Sequence, residues 1–240
     1  MPSMALHDSI ATPAGKRGYV RKLFATIADR YDFITVALSF GLDRHWKRRV
    51  ILLTQPDSRT RVLDLATGTG DIAFAAAARG ASVVGLDITH RMIELARGKV
   101  TAGMRPRWTV GDMLALPFPP SSFDIVTTGY GLRNVPDLTV AIEEIRRVLA
   151  PGGQLVSLDF NRPSNAIVRA AYLAYLTVVG STLGWLLHRD PDTYRYIPAS
   201  IRQYPGAEGV ARLLDAGGFA DVRIYPVLGG LMTIHHAIRT

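Results

Sequence analysis

The segment VLDLATGTGD, residues 62–71, constrains the fold of this chain more than any other. It reads as a buried strand, a turn of small residues and the start of a helix. Gly68 and Gly70 allow a tight turn and close approach of a ligand to the backbone. The N–H groups at the start of the following helix are free to bind it. The G-x-G-x-x-G of a dinucleotide fold is absent, and A-x-G-x-G stands in its place. The same alternation continues along the chain, with strands predicted at 61–66, 82–87, 107–112, 123–129 and 154–160 and helices at 72–80, 90–102 and 141–153. Strands alternating with helices imply right-handed crossovers and a mostly parallel α/β sheet. A helix at 207–216 is followed by strands at 221–228 and 231–238, separated by Gly229-Gly230, which predicts a closing antiparallel hairpin. That makes a Rossmann-like sheet of seven strands.

The flanks of this core are different. Residues 1–17 are small and polar and are expected to form an unstructured leader. Helical periodicity over 20–40 and 43–53 predicts an N-terminal helical cap, 18–55, on a single domain running from 18 to 240. Residues 161–205 read as an insertion on the substrate side, a lid. Within it, 170–187 carries no charge and reaches the length of a membrane span. Gly180, Ser181, Thr182 and Gly184 interrupt that run, so two short helices, or a helix and a loop, are expected rather than a span. Arg169 and His188-Arg189 flank it and would permit shallow contact with a bilayer surface. The first residues lack an apolar signal-peptide core, so a cytoplasmic location is expected. Cysteine is absent, which excludes a disulfide scaffold, a thiolate metal site and a cysteine nucleophile. His235 and His236 alternate across a strand and cannot pair on one metal, so no metal site is expected. The net charge of +8 favours anionic partners, with Arg44, Lys47, Arg48 and Arg49 forming one basic cluster.

A parallel sheet that ends in an antiparallel hairpin is the pattern of class I methyltransferases. Residues 62–71, with Asp64 on the strand, resemble motif I of enzymes that use S-adenosylmethionine (SAM). Thr67, Gly68, Thr69 and Gly70 would form the turn at the methionine end of SAM. Asp87 lies 17 residues after Gly70, at the end of the second strand, where a carboxylate can accept both ribose hydroxyls. Asp112, read as the end of the third strand, can meet the adenine amino group, and Met113 can pack on the purine face.

Four further segments make the resemblance specific. YDFITVALSFGLDRHWKR (31–48), GDMLALPFPPSSFDIVTTGYGLRNVPD (111–137), RVLAPGGQLVSLDF (147–160) and YRYIPASIRQYP (194–205) are similar to the ubiquinone/menaquinone biosynthesis C-methyltransferase family, UbiE/MenG type. The resemblance spans roughly 20–238. It implies SAM contacts at Thr69, Asp87, Asp112 and Met113, and at Gly129, where the family often has serine. The chain departs from the family at Ile34, Thr35, Asp43, Ala150, Asp159 and Asn161. The implied acceptor is a ring carbon of a prenylated quinol, of demethylmenaquinol or 2-polyprenyl-6-methoxybenzoquinol type.

Carbon becomes a competent nucleophile when the ortho hydroxyl loses its proton, so the enzyme must position the ring and ease that loss. Arg133 in GLRNV is the candidate to stabilise the phenolate or polarise a water, being too basic to act as the base itself. Asn134 could orient that water or the quinol oxygen, Tyr31 could close the site from the cap, and Asp159 is a weaker candidate base. The alternatives are SAM-dependent methylation of another aromatic or terpenoid small molecule, an RNA methyltransferase, or a scaffold without activity. No N/D-P-P-Y-like tetrad or stacking-rich RNA module is present, so nucleic acid is not an expected partner. Peripheral contact with an anionic membrane at its inner face follows from the prenyl tail and the basic cluster, and the sequence leaves room for a homodimer.

Overall fold

The computed structural model describes residues 6, 10–39, 41–99 and 103–240. The core is a seven-stranded sheet of β1 (Arg61–Leu65), β2 (Ser82–Asp87), β3 (Arg107–Val110), β4 (Phe123–Gly129), β5 (Leu149–Phe160), β6 (Phe219–Val227) and β7 (Met232–Arg239). Their spatial order is β3-β2-β1-β4-β5-β7-β6. β1 pairs in parallel with both β2 and β4, and β7 lies antiparallel between β5 and β6. The chain therefore runs outward through β2 and β3, then returns to the other side of β1. The crevice at the carboxyl ends of β1 and β4 is the switch point where ligands bind in open α/β sheets.

Helices cover both faces. α4 (Asp71–Ala77), α5 (His90–Gly98) and α6 (Leu138–Val148) are the crossovers, and α9 (Gly206–Ala216) precedes the hairpin. Leu63, Leu65, Val126 and Leu155 on the strands pack with Ile142, Ile145 and Leu214 on one face. Val62, Ile125 and Val156 pack with Ile72, Ala73 and Trp46 on the other. Ala150 precedes Pro151, and a residue before proline disfavours helical backbone. α6 accordingly stops at Val148, and the residues expected in its last turn join β5.

The cap differs from expectation at both ends. α1 (Pro13–Ile27) starts inside the segment read as a leader, capped by the Thr12 side chain, which accepts from Gly15 N–H at 3.1 Å. Ile10 is buried as well, so the unstructured reading fails for residues 10–17, while 1–5 and 7–9 lie outside the described residues. The single helix expected over 20–40 is α1 and α2 (Tyr31–Leu38), joined by a 3₁₀ turn at Ala28–Arg30. α3 (Asp43–Thr54) completes the cap. The final residues of the helix expected at 90–102 also fall partly outside the described residues: α5 ends at Gly98, and 100–102 are not described.

α7 (Ala166–His188) is one unbroken helix of 23 residues, against the expectation of two short ones. By length and composition it could cross a membrane. Its glycines are packing surfaces rather than breaks. A Cβ on Gly184 would lie 2.4 Å from the Asp190 carbonyl, and one on Gly180 would lie 3.1 Å from the Tyr194 Cβ. The chain doubles back along the helix there, into α8 (Tyr196–Gln203). One side of α7 (Tyr172, Leu173, Leu176) is buried, while Ile167, Val178, Trp185 and Leu186 are exposed.

Candidate active site

Three connected chambers open at the switch point. The first, a cleft, lies over the ends of β1, β2 and β4 and is lined by Gly68, Asp87, Asp112, Met113, Gly129 and Asn134. The second is apolar and lies under the cap, among Ile27, Ile34, Leu38, Trp46, Ile197 and Met232. The third is a small polar recess bounded by Lys47, Asp64, Thr67, Thr69 and Asp71. Tyr31 and Tyr130 line all three.

The first cleft is built by the turn after β1. Gly68 adopts φ +55, and a Cβ there would sit 3.4 Å from the Tyr31 ring. Gly111 and Gly131 also line the cleft, and a Cβ on either would overlap Leu86 (2.8 Å) or Thr128 (2.3 Å). Asp87 is 7% exposed. Its two oxygens accept the N–H groups of Gly68 (2.9 Å) and Thr89 (2.8 Å), and burial raises its pKa against those bonds. Asp87 lines the cleft, and a carboxylate oxygen that accepts one hydrogen bond has capacity for a second.

Other predicted cofactor residues are placed differently. Gly70 adopts φ +90 ahead of α4 and packs on Trp108 without reaching a chamber. Thr67 lines the polar recess, but its hydroxyl donates to the Asp64 Oδ2 at 2.5 Å, while Thr127 donates to Oδ1 at 2.7 Å. Burial raises Asp64 to about 6, against the pull of those two hydroxyls. Thr69 also faces the recess and donates to Asp32 on α2. β3 ends at Val110, so Asp112 stands in the loop beyond it rather than on the strand. There Asp112 meets Arg17 of α1 at 2.6 Å and accepts the N–H of Leu114 at 2.9 Å. Lys16, one residue earlier, donates to the Arg133 and Val135 carbonyls at 3.1 and 2.7 Å. The presumed leader thus closes over the cleft, and sequence reasoning missed it because no periodicity marks two cations aimed at loop acceptors.

The predicted catalytic residues divide between the chambers. Arg133 is 5% exposed and lines the apolar chamber, not the first cleft. Its Nε stands 3.1 Å from the Asp159 Oδ1, and its backbone N–H donates to Oδ2 at 3.1 Å. Its Nη1 donates to Ser200 at 2.8 Å and to Asn134 Oδ1 at 3.2 Å, and the guanidinium lies 4.8 Å from the Phe160 ring centroid. Asp159 lines none of the three chambers and meets the acceptor chamber only through Arg133, which has no lone pair to relay a proton. Burial still raises the Asp159 pKa, with Arg133 opposing it. Asn134 lines the first cleft and donates to the Tyr130 carbonyl at 2.7 Å. Tyr31 of the cap lines all three chambers, and burial pushes its pKa above the ordinary tyrosine range.

The basic cluster is not a single surface. Arg44 and Arg48 are exposed, but Lys47 turns inward to Asp43 (2.6 Å) and Asp71 (2.8 Å), and Arg49 lies over the Tyr225 ring. The two strand histidines do face opposite ways, His235 bonding to the Ala207 carbonyl and His236 to Gln154. Among the described residues no group of His, Asp or Glu could hold a metal ion.

This sheet order, the glycine turn after β1 and the acid ending β2 define a class I SAM-dependent methyltransferase. Solved structures agree on the fold. A possible histamine N-methyltransferase from Thermotoga maritima superposes with a TM-score of 0.66 at 18% identity, covering 92% of this chain and 100% of that one. Magnesium protoporphyrin IX methyltransferase from Synechocystis, with S-adenosylhomocysteine (SAH) bound, gives 0.65 at 18% identity, covering 93% and 100%. The chain belongs to the ubiE/COQ5 methyltransferase family, whose profile matches residues 13–239. Similar sequences include a demethylmenaquinone methyltransferase from Thermus thermophilus, 42% identical over 89% of this chain and 98% of that protein. A ubiquinone/menaquinone biosynthesis C-methyltransferase UbiE from Zymomonas mobilis is 35% identical over 98% of both chains.

Proposed function

We propose that this enzyme methylates a ring carbon of a prenylated quinol, of demethylmenaquinol or 2-polyprenyl-6-methoxybenzoquinol type, in respiratory quinone biosynthesis. The apolar chamber under the cap carries this reading: it abuts the cofactor cleft at Tyr31 and Tyr130, and among its described lining residues Arg133 alone is charged. Such a chamber suits an aromatic ring with a hydrocarbon tail and one developing negative charge.

The donor set fits SAM. The Gly68 turn, the glycine cradle at 111 and 131 and the Asp87 carboxylate leave room and acceptors for adenosine, with Met113 and Gly129 lining the same cleft. Thr67 and Thr69 reach only the polar recess beside the turn, Gly70 shapes the turn, and Asp112 would share its charge between Arg17 and the adenine amino group. SAM supplies an electrophilic methyl group and retains the electron pair of the bond it gives up. The chain supplies the rest. The cap excludes water from the acceptor ring, and Tyr31 bounds the passage between donor and acceptor. Among the described residues the Arg133 Nη2 has no hydrogen-bond partner and can stabilise the phenolate, while Asn134, whose Oδ1 accepts from Nη1, orients the guanidinium toward it. Ser200 and Asp159 hold the guanidinium in place.

The test is turnover of labelled SAM with a short-chain demethylmenaquinol, the matching benzoquinol and a catechol without a tail. Methyl transfer to a ring carbon of either quinol supports the reading. Transfer to the catechol alone defeats it and favours a general aromatic methyltransferase.

The tail also suggests where the enzyme works. The exposed strip on α7 (Ile167, Val178, Trp185, Leu186), with Arg169 and Arg189 near its ends, fits the inner face of an anionic membrane for a cytoplasmic enzyme. Leu183 and Leu187 pack on the Tyr194 cluster bordering the chamber while Leu186 faces outward, so α7 can serve as the lid between tail and bilayer. Salt-sensitive binding to anionic but not neutral liposomes is expected. A concentration-dependent homodimer in sedimentation, with no liposome binding, would assign the strip to self-association.

A further inference from the structure

Tyr130 stands where the three chambers meet. Its backbone adopts φ +61, a left-handed conformation that strains a bulky residue. Its ring packs on Phe160 at 5.6 Å between centroids. Its hydroxyl donates to the Asp43 Oδ1 at 2.6 Å. Asp43 is 1% exposed and lines none of the three chambers, so Tyr130 links it to the reaction space. The other Asp43 oxygen meets Lys47 Nζ at 2.6 Å, and Lys47 meets Asp71 at 2.8 Å, in the polar recess. Among the described residues lining the acceptor chamber there is no carboxylate and no imidazole. Arg133 has no lone pair to take a proton. Two chamber-lining side chains therefore lead to a carboxylate, Arg133 to Asp159 and Tyr130 to Asp43, and of these only the Tyr130 hydroxyl can both take a proton and pass one on.

We propose that Tyr130 and Asp43 act together as the proton-accepting dyad for the acceptor's hydroxyl. The dyad has this purpose only if the acceptor is a quinol, as read above. The quinol O–H breaks and its proton goes to the Tyr130 Oη, while the Tyr130 proton moves to the Asp43 Oδ1. The oxygen keeps the electron pair and feeds it into the ring, whose carbon forms the new bond to methyl. The ring carbon then loses its hydrogen as a proton and the oxygen regains one, so aromaticity returns with no net proton change. The single proton released per turnover is the one on Asp43. It leaves toward Lys47 and Asp71, where the polar recess meets solvent. Lys47, 2.6 Å from the other Asp43 oxygen, fixes the carboxylate's orientation toward Tyr130.

The test compares wild type, Tyr130→Phe and Asp43→Asn on a short-chain quinol and on a fluorinated analogue whose hydroxyl ionises near neutral pH. Phenylalanine keeps the ring and removes the hydroxyl. Asparagine keeps a hydrogen-bond acceptor and removes the base. On the ordinary quinol kcat should fall by about 10²-fold, the scale of a lost general base, with SAH affinity by calorimetry unchanged. On the acidic analogue the deficit should shrink to less than about tenfold, because the proton is already gone. Equal losses on both acceptors would mean a packing role and overturn the dyad alone. Wild type inactive on every quinol would overturn the functional reading and the dyad with it. If Asp43→Asn does not fold, Tyr130→Phe decides.

Discussion

Replacing Asp87 separates cofactor binding from folding in one experiment. The carboxylate accepts two backbone N–H groups, from Gly68 at 2.9 Å and Thr89 at 2.8 Å, and lines the cofactor cleft. Asp87→Ala leaves both amides without a partner. Hydrogen bonds to a charged acceptor contribute about 1.5–3 kcal/mol each, but water from the open cleft can replace part of this. A loss of about 2–4 kcal/mol in unfolding free energy is therefore expected. Asp87→Asn retains one acceptor oxygen and should lose about half as much. SAH affinity should fall separately, because the ribose hydroxyls lose a charged acceptor. At about 1.5–3 kcal/mol, that is a ten- to hundredfold rise in Kd for the alanine variant. Calorimetric titration with SAH gives the affinity, and urea unfolding of the apoprotein gives the stability. A folded Asp87→Ala protein that binds SAH within about threefold of wild type would refute the ribose assignment, since such a change is below 1 kcal/mol. Lost stability with retained affinity would make Asp87 a clamp for the turn and nothing more.

Three other outcomes follow from the same geometry. Arg133→Ala should lower kcat about 10²–10³-fold with SAH affinity near wild type, and Arg133→Lys should lower it less; alanine also leaves Asp159 unpaired, and near-normal turnover by the folded alanine variant removes Arg133 from the chemistry. Gly184→Ala should destabilise by about 1–3 kcal/mol, because the new Cβ meets the Asp190 carbonyl at 2.4 Å; an unchanged urea midpoint would show that the returning chain does not pack on α7. His235 is buried and its pKa lies below the ordinary value of 6.5, mainly through desolvation. Its contribution to stability is therefore complete above pH 6.5 and is lost as the pH falls below it, since the unfolded chain takes up the proton first. His235→Gln should make the fall in Tm between pH 7 and 5 shallower without abolishing it, as His236 and His188 shift in the same direction.

The sequence by itself determined the sheet, the glycine turn after β1 and the family. Those features are local: continuous apolar runs, glycines where the backbone must turn, and an acid at the end of β2. β2 and β4 match their predicted boundaries to the residue because burial on both faces demands continuous apolar runs. Asp87 could be placed because a strand end is a fixed point in such a sheet. What the tertiary structure decided depends on side chains distant along the chain. Lys16 and Arg17 looked like part of a polar leader, yet they bind acceptors about a hundred residues away that exist only after folding. Gly180 and Gly184 looked like helix breaks, and only the returning segment at 190–194 shows them to be a groove. Lys47 looked like one cation in a surface patch until Asp43 and Asp71 drew it inside. Spacing cannot separate a solvated lysine from a buried one, because both cost the chain the same locally. The difference lies in whether a carboxylate arrives from elsewhere to offset desolvation. For the same reason Asp43 and Tyr130, 87 residues apart, became a pair only in three dimensions.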